Sequence, residues 1–313
     1  MSRSGTGISR RRFLESGAEL GAVSLLAGAP AVAAAATPET RFFVIGDWGR
    51  NGKHHQRAVG RAMAAAAVAS NPAFIVSAGD NFYESGVTGL SDPQFRTSFE
   101  DVYSEAALHR PWHVILGNHD YRGDVEAQIA YSGVSSRWQM PSRYYTRTAS
   151  GRDGGVDIFY LDSSPFIRKY IGTVTDISGQ NPKAQLAWLD AALGRSQARW
   201  KIVIGHHPLY TALGGHGHDQ PDMIAAFEPV LRRHKVPLYI NGHDHSMQYV
   251  EMTGISYVTT GAGSHTYQPG PPSRAGYCSG DHGFLSVAVS GAAAQLDFID
   301  MAGRSVFART ITA

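Results

Sequence analysis

The chain reads as an α/β protein of mixed α+β character, and three observations predict it. Apolar runs of strand length alternate with helix-period segments through the first two-thirds of the sequence. Each of five such runs closes on a glycine followed by a polar cluster. From about residue 249 the texture changes to short alternating runs separated by turns. Strands alternating with helices imply right-handed βαβ units and a mainly parallel sheet, whereas the closing runs imply antiparallel pairing.

The elements follow in order. RFFVI (41–45) predicts a buried strand, GDWGRNG a loop, and 54–69 a helix, with His54 and His55 as residues of its first turn. FIVSA (74–78) predicts a second strand, followed by GDNFYESG and a helix near 93–103. HVILG (113–117) gives a third strand, NHDYRG a loop, and a helix begins near Asp124. VDIFYLD (156–162) is a strand, AQLAWLDAAL (184–193) a helix, and WKIVIG (200–205) a strand ending in HHP. DMIAAFEPVLRRH (222–234) has helical apolar spacing and PLYIN (237–241) is a strand ending in GHDH. QYVEM, ISYVTT, FLSVAVS, AQLDFID and SVFARTI complete the chain as an antiparallel series. No internal repeat or low-complexity linker divides it.

With 313 residues, 43% of them apolar, the chain can bury a substantial core. A net charge of +2 argues against a dedicated nucleic-acid binder, which would carry a basic stripe. No apolar run reaches the length of a membrane-spanning helix. The single cysteine, Cys278, excludes an intramolecular disulfide and a thiolate metal cluster, so any metal must be held by nitrogen and oxygen.

Residues 1–36 differ from the rest. SRRRFLES carries paired arginines, a weakly apolar segment follows, and AVAAAA precedes Thr37. A basic head, a short apolar middle and an A-x-A end describe an export signal of the twin-arginine type. Cleavage is expected near Ala36, leaving residues 37–313 as one catalytic domain. The twin-arginine export machinery is then a partner, the protein is periplasmic or extracellular, and no stable membrane span remains.

The chemistry gathers in GDWG (46–49), GDNFY (79–83), GNHD (117–120), GHHP (205–208) and GHDH (242–245). Ligands of open α/β sheets bind beyond the carboxyl ends of the strands, so these five loops should converge. They offer Asp47, Asp80, Tyr83, Asn118, His119, His206, His207, His243 and His245. The glycine ahead of each polar residue is read as allowing a sharp exit from the strand. Any one of these residues alone would be an ordinary turn, cap or packed ring, but five clusters at one structural position are not explained that way. Carboxylate, amide and imidazole without thiolate suit iron, manganese or zinc. The ligands are too many for one ion, and two ions a few ångströms apart drive in-line displacement at phosphorus. GxxxxGK[ST], GxGxxG and GxSxG are all absent, which removes glycine-loop nucleotide binding and the common serine hydrolase.

Taken together, GDWG, GDNFY, GNHD, GHHP and GHDH resemble the calcineurin-like metallophosphoesterase superfamily, and within it the small, tartrate-resistant type of purple acid phosphatase. RPWHVILGNHD, RWQMPSRYYT (137–146) and QLAWLDAALGRSQARWKIVIGHHPLY (185–210) extend the likeness over about residues 41–300. The resemblance implies two packed mixed β-sheets flanked by helices. It implies Fe(III) on Asp47, Tyr83 and His245, and a divalent Fe, Zn or Mn on Asn118, His206 and His243, with Asp80 bridging. It further implies phosphate contact by His119, oriented by Asp120, and by a second histidine after the GHHP block. There the loop LYTALGGHGHDQ is one residue longer than the family's, His216 being the best match and His218 competing. Asp244 either supports the site or points into the fold, and His207 lies outside the ligand set. The implied activity is that of a secreted acid phosphatase hydrolysing small phosphate monoesters by in-line attack of a metal-bound hydroxide. A phosphodiesterase or nucleotidase on the same site is the close alternative, and a secreted iron-binding redox protein the alternative of another class. Complete retention of both ligand sets together with His119 favours the enzyme.

Overall fold

The computed structural model describes residues 39–149, 155–214 and 219–313. The expected export signal and both His216 and His218 lie outside these residues.

Two seven-stranded mixed sheets face one another, with helices on the outer faces. The first half contributes strands β1 (Thr40–Ile45), β2 (Phe74–Ser77), β3 (Trp112–Val114) and β4 (Trp138–Gln139), with helices α1 (Gln56–Ser70) and α2 (Val125–Ala130) between them. Next come β5 (Tyr145–Ala149), β6 (Val156–Tyr160), α3 (Pro182–Arg195), β7 (Trp200–Ile204), α4 (Pro221–Arg233) and β8 (Leu238–Asn241). The chain closes with β9 (Met247–Met252), β10 (Ile255–Thr260), β11 (Tyr277–Ser279), β12 (Gly283–Ser290), β13 (Ala293–Asp300) and β14 (Ser305–Thr312). Among the described residues no helix is long and apolar enough to cross a membrane.

One sheet runs β14-β13-β12-β1-β2-β3-β4 and the other β11-β9-β10-β8-β7-β6-β5. In the first, β1 to β4 are parallel and β12 to β14 pair antiparallel beside β1. In the second, β6, β7, β8 and β10 are parallel, with β5 and β9 antiparallel at the flanks. These are the two packed mixed sheets flanked by helices that the resemblance implies, and the alternation read their parallel strands without dividing them between two sheets. The closing strands divide between them, β9 to β11 joining one sheet and β12 to β14 the other. Alternation identifies strands, but it carries no information on which sheet a strand joins.

Three cores explain the near-continuous apolar strands, which are buried on both faces. Phe42, Val44, Val76, Ile202, Ile204 and Ile240 pack between the sheets. Phe43, Ile45 and Ile75 face outward onto Val59, Met63 and Ala67 of α1. Phe159, Val203 and Tyr239 face Leu189, Leu193, Phe227 and Leu231 of α3 and α4. Residues one apart on a strand thus serve different layers, and the whole forms a helix–sheet–sheet–helix sandwich.

Local departures from the reading have local causes. Helix α1 begins after His54 and His55, because His54 takes a left-handed φ of 53° that no helix tolerates. Helix α3 begins two residues early, where Asn181 caps the amide of Ala184 and Pro182 occupies the first turn. The helix expected over 93–103 forms over Phe95–Glu100 as a widened helical turn, in which the Asp101 amide reaches back five residues to the Arg96 carbonyl. That turn sends Phe95 and Phe99 into an aromatic cluster with Trp138.

Candidate metal centre

The parallel strands of both sheets bring the five glycine-polar clusters to one edge. Backbone bonds zip the loops to each other: the Asp47 amide donates to Gly79 O, the Tyr83 amide to Gly49 O, the Gly86 amide to His119 O and the Gly242 amide to His206 O. Each of these loops is thus tied to a neighbour.

The glycines act differently from the reading. Of the five that precede the clusters, only Gly79 has a left-handed φ, at 90°. The sharp turn is instead made by Asp47 (φ 60°), Asp80 (φ 51°) and His243 (φ 69°), a conformation that disfavours residues with a Cβ by about 1 kcal/mol or more. Strain of this kind at three candidate ligands is characteristic of a functional site. The glycines supply room: a Cβ on Gly117 would lie 2.2 Å from Asp80 Oδ1, and one on Gly242 would lie 2.5 Å from Asp47 Oδ2.

At the centre stands the Tyr83 hydroxyl, 2.8 Å from Asp47 Oδ1, 2.8 Å from Asp80 Oδ2 and 3.0 Å from His245 Nε2. The His245 Nε2 to Asp47 Oδ1 distance is 3.3 Å. Each carboxylate has its other oxygen tied by a backbone amide, Asp80 Oδ1 by His119 N at 2.7 Å and Asp47 Oδ2 by His243 N at 2.8 Å. Beside this group, His206 donates its Nδ1–H to the Ala78 carbonyl at 2.9 Å, which turns its Nε2 inward. That Nε2 lies 3.5 Å from Asp80 Oδ2, 3.3 Å from Asn118 Oδ1 and 3.3 Å from His243 Nδ1.

The donor set fits two cations. Asp47 and Asp80 are buried, and the oxygens and nitrogens around Tyr83 have too few protons to satisfy one another. Burial, and then the charges of Asp47 and Asp80, hold the Tyr83 phenol well above its ordinary range, so ionising it here calls for a strong Lewis acid. Burial opposes a proton on His206, yet Asp80 outweighs it and pushes His206 up to about 9. Burial would raise Asp80, but the positive charge of His206 takes it well below the usual carboxylate range. A cation at that point would replace the His206 proton. Asp80 touches both groups of ligands, as a bridge must.

Other expected residues take different places. His207 has both ring nitrogens occupied, by Ser163 Oγ at 2.8 Å and Tyr170 Oη at 2.9 Å, so it is not a free ligand. Asp244 turns into the fold, accepting from Thr211 and Gln248. Asp120 requires a correction. Its carboxylate accepts from the amides of Gly117 and Asn81 and from Gln128 Nε2, and so braces the loops from within. The His119 ring is held instead by the Glu84 carbonyl, 2.7 Å from Nδ1, with Arg122 3.1 Å from the same nitrogen. Its Nε2 is then left on the side of Asp80 Oδ2, at 4.0 Å. Glu84 and Arg122 escaped the sequence reading, because their part is played by a backbone carbonyl and by proximity. Neither leaves a motif.

The chain belongs to the calcineurin-like phosphoesterases, whose family model matches residues 40–247. Among them it falls with the purple acid phosphatases. It is 37% identical to purple acid phosphatase 3 of Arabidopsis thaliana over 84% of this chain and 75% of that one. It is 34% identical to tartrate-resistant acid phosphatase type 5 of Homo sapiens, over 89% and 92%. These relatives are phosphoric monoester hydrolases, an enzyme class the chain shares. Solved structures agree in fold. A purple acid phosphatase from yellow lupin seeds superposes with a TM-score of 0.63 at 14% identity, over 88% of this chain and 54% of that one. GAP50, the anchor in the inner membrane complex of Plasmodium, superposes with a TM-score of 0.76 at 24% identity, over 88% and 89%. A binuclear metal centre is what this family implies, and the buried group of Asp47, Asp80 and His206 is a candidate to hold part of it.

Proposed function

We propose that the protein is an exported dimetal acid phosphatase acting on small phosphate monoesters, with a ferric ion on Asp47, Tyr83 and His245. Asn118, His206 and His243 would hold a divalent Fe, Zn or Mn, and Asp80 would serve both ions. The observation that carries this reading is the meeting of a phenol, two carboxylate oxygens and an imidazole nitrogen around Tyr83 Oη within 3.0 Å. A phenolate adds a hard, anionic oxygen, which favours the trivalent ion over a divalent one.

When bound, the ion pair would supply Lewis acidity at the phosphate and activate water for in-line attack. The chain's residues do the rest. Backbone amides of His119 and His243 fix the two carboxylates, and the Ala78 carbonyl fixes the His206 tautomer. His119, with Nδ1–H given to the Glu84 carbonyl, presents Nε2 to the substrate. Protonated, the ring donates its Nε2–H to a phosphate oxygen or passes that proton to the leaving oxygen. His216, with His218 next to it in rank, is the second phosphate contact. The arginine pair and the A-x-A end support cleavage near Ala36 and twin-arginine export of residues 37–313 to the periplasm or medium.

The test is metal content, visible spectrum and hydrolysis of an aryl phosphate in the wild type and in Asp80→Ala. The variant should lose both metals and all turnover; retained turnover would refute a shared ligand. Comparing an aryl monoester with the corresponding diester decides between monoesterase and diesterase. Sequencing the exported protein's N-terminus tests the cleavage, and an intact Met1 would sink it.

A further inference from the structure

Arg50 follows the GDWG block directly and takes no part in the roles above, yet it touches two of the residues that carry them. Its guanidinium carbon lies 3.8 Å from the centre of the Tyr83 ring. Its Nη1 also pairs with the Glu84 carboxylate, and the arginine side chain is only 12% exposed. Glu84 is the residue whose main-chain carbonyl takes His119 Nδ1 at 2.7 Å. The rings of Tyr83 and His119 are themselves 4.4 Å apart. The Tyr83 amide bonds the Gly49 carbonyl at 2.8 Å, so the backbone seats Arg50 next to the ring without a long tether.

We propose that Arg50 is a positioning residue of this centre, clamping the face of Tyr83 and, through Glu84, the orientation of His119. The inference rests on the reading of Tyr83 as a phenolate ligand for its first arm only. A cation over an aromatic face is attracted by the ring's electron density, and a guanidinium can lie flat where an ammonium cannot. The attraction grows when the ring is anionic, and it lowers the filled orbitals from which a phenolate-to-iron transition starts. Arg50 therefore shifts the visible band to shorter wavelength and makes the phenolate a weaker donor. The second arm needs no metal. The Glu84 side chain is 74% exposed, and its ion pair with Arg50 is what ties it to the site.

Three measurements on Arg50→Met and Arg50→Lys test both arms. In the iron-loaded protein, Arg50→Met should move the visible band to longer wavelength. It should also lower kcat about tenfold, the equivalent of one misplaced hydrogen bond, while KM changes less than about twofold. Arg50→Lys, which can keep the pair with Glu84 but not the flat contact, should restore most of kcat and leave the band displaced. In metal-free protein, nitrogen NMR should show His119 protonated at Nδ1 in the wild type and averaging between tautomers in Arg50→Met. An iron-loaded Arg50→Met with the wild-type band and wild-type kcat overturns the proposal, as does a raised KM with kcat and band unchanged. A wild type that takes iron without any visible band refutes the phenolate reading and the first arm with it. The His119 tautomer then still decides the second arm: an unchanged tautomer in Arg50→Met overturns it.

Discussion

Gly117→Ala tests the geometry of the centre without touching a ligand. The added Cβ would fall 2.2 Å from Asp80 Oδ1 and 2.3 Å from the Asp80 amide nitrogen. To reach an ordinary contact of 3.4 Å, the carboxylate must retreat by about 1.2 Å. Metal–ligand distances tolerate only about 0.2 Å, so a displacement this large takes Asp80 out of reach of both ions. The retreat also strains the bond that Asp80 Oδ1 accepts from His119 N at 2.7 Å. Overpacking of this kind costs about 1–3 kcal/mol of stability, which a chain of this size survives. The expected protein is folded, holds less than one metal ion per chain and turns over an aryl phosphate at a small fraction of the wild-type rate. Circular dichroism, elemental analysis and a phosphatase assay read these three quantities. Gly89→Ala is the control, since nothing lies within 4 Å of its added Cβ, and it should match the wild type throughout. A Gly117→Ala protein with two metals and full turnover would refute the argument that this glycine is there to leave room for Asp80.

Tyr83→Phe should bleach or strongly shift the visible absorption of the iron-loaded protein, and an unchanged spectrum would remove the tyrosine from the iron. His119→Ala should leave metal content unchanged while lowering kcat by about 10²–10⁴; loss of iron instead would overturn its assignment to the substrate side. Asp120→Ala should act on stability, because it strands the buried amides of Gly117 and Asn81 and the Gln128 side chain, at about 1–3 kcal/mol for each unsatisfied group. Its melting temperature should fall sharply, and a variant of normal stability with poor turnover would return Asp120 to the catalytic set. His113, on β3 beside the rings of Phe74 and Tyr160, is lowered to about 4, by burial and then by the charge of Arg147. A histidine whose folded value is depressed binds its proton more readily when unfolded, so stability is lost as pH falls from about 6.5 towards 4. His113→Phe should remove part of that acid sensitivity, by up to about 3 kcal/mol at pH 4; a melting-temperature difference that does not vary with pH would contradict it.

Much of this molecule was legible before its fold was known. The strands over 41–45, 74–78 and 200–205 were legible because burial on both faces writes an unbroken apolar run. The ligand loops were legible because five polar clusters each follow a strand, and parallel strands must present their carboxyl ends together. The short strands β4, β5 and β11 were missed, since two to five residues at a sheet margin carry little periodicity. The helix near 93–103 was legible, but not its widening over Phe95–Glu100, because aromatic spacing of four residues fits both an α-helix and a wider coil.

By itself the sequence determined the α/β class, the strand-end positions of the ligands and the nitrogen and oxygen character of the metal centre. Those follow from residue type and local spacing. The tertiary structure alone decided how the closing strands divide between two sheets, because pairing is chosen by contacts far apart in the chain. It also decided that Asp47, Asp80 and His243 bear the backbone strain while Gly117 and Gly242 clear space for carboxylates. And it turned Asp120 inward, handing the orientation of His119 to a carbonyl of Glu84 and placing Arg50 over Tyr83. In each case the deciding interaction joins two loops that only the folded sheets bring within hydrogen-bonding distance.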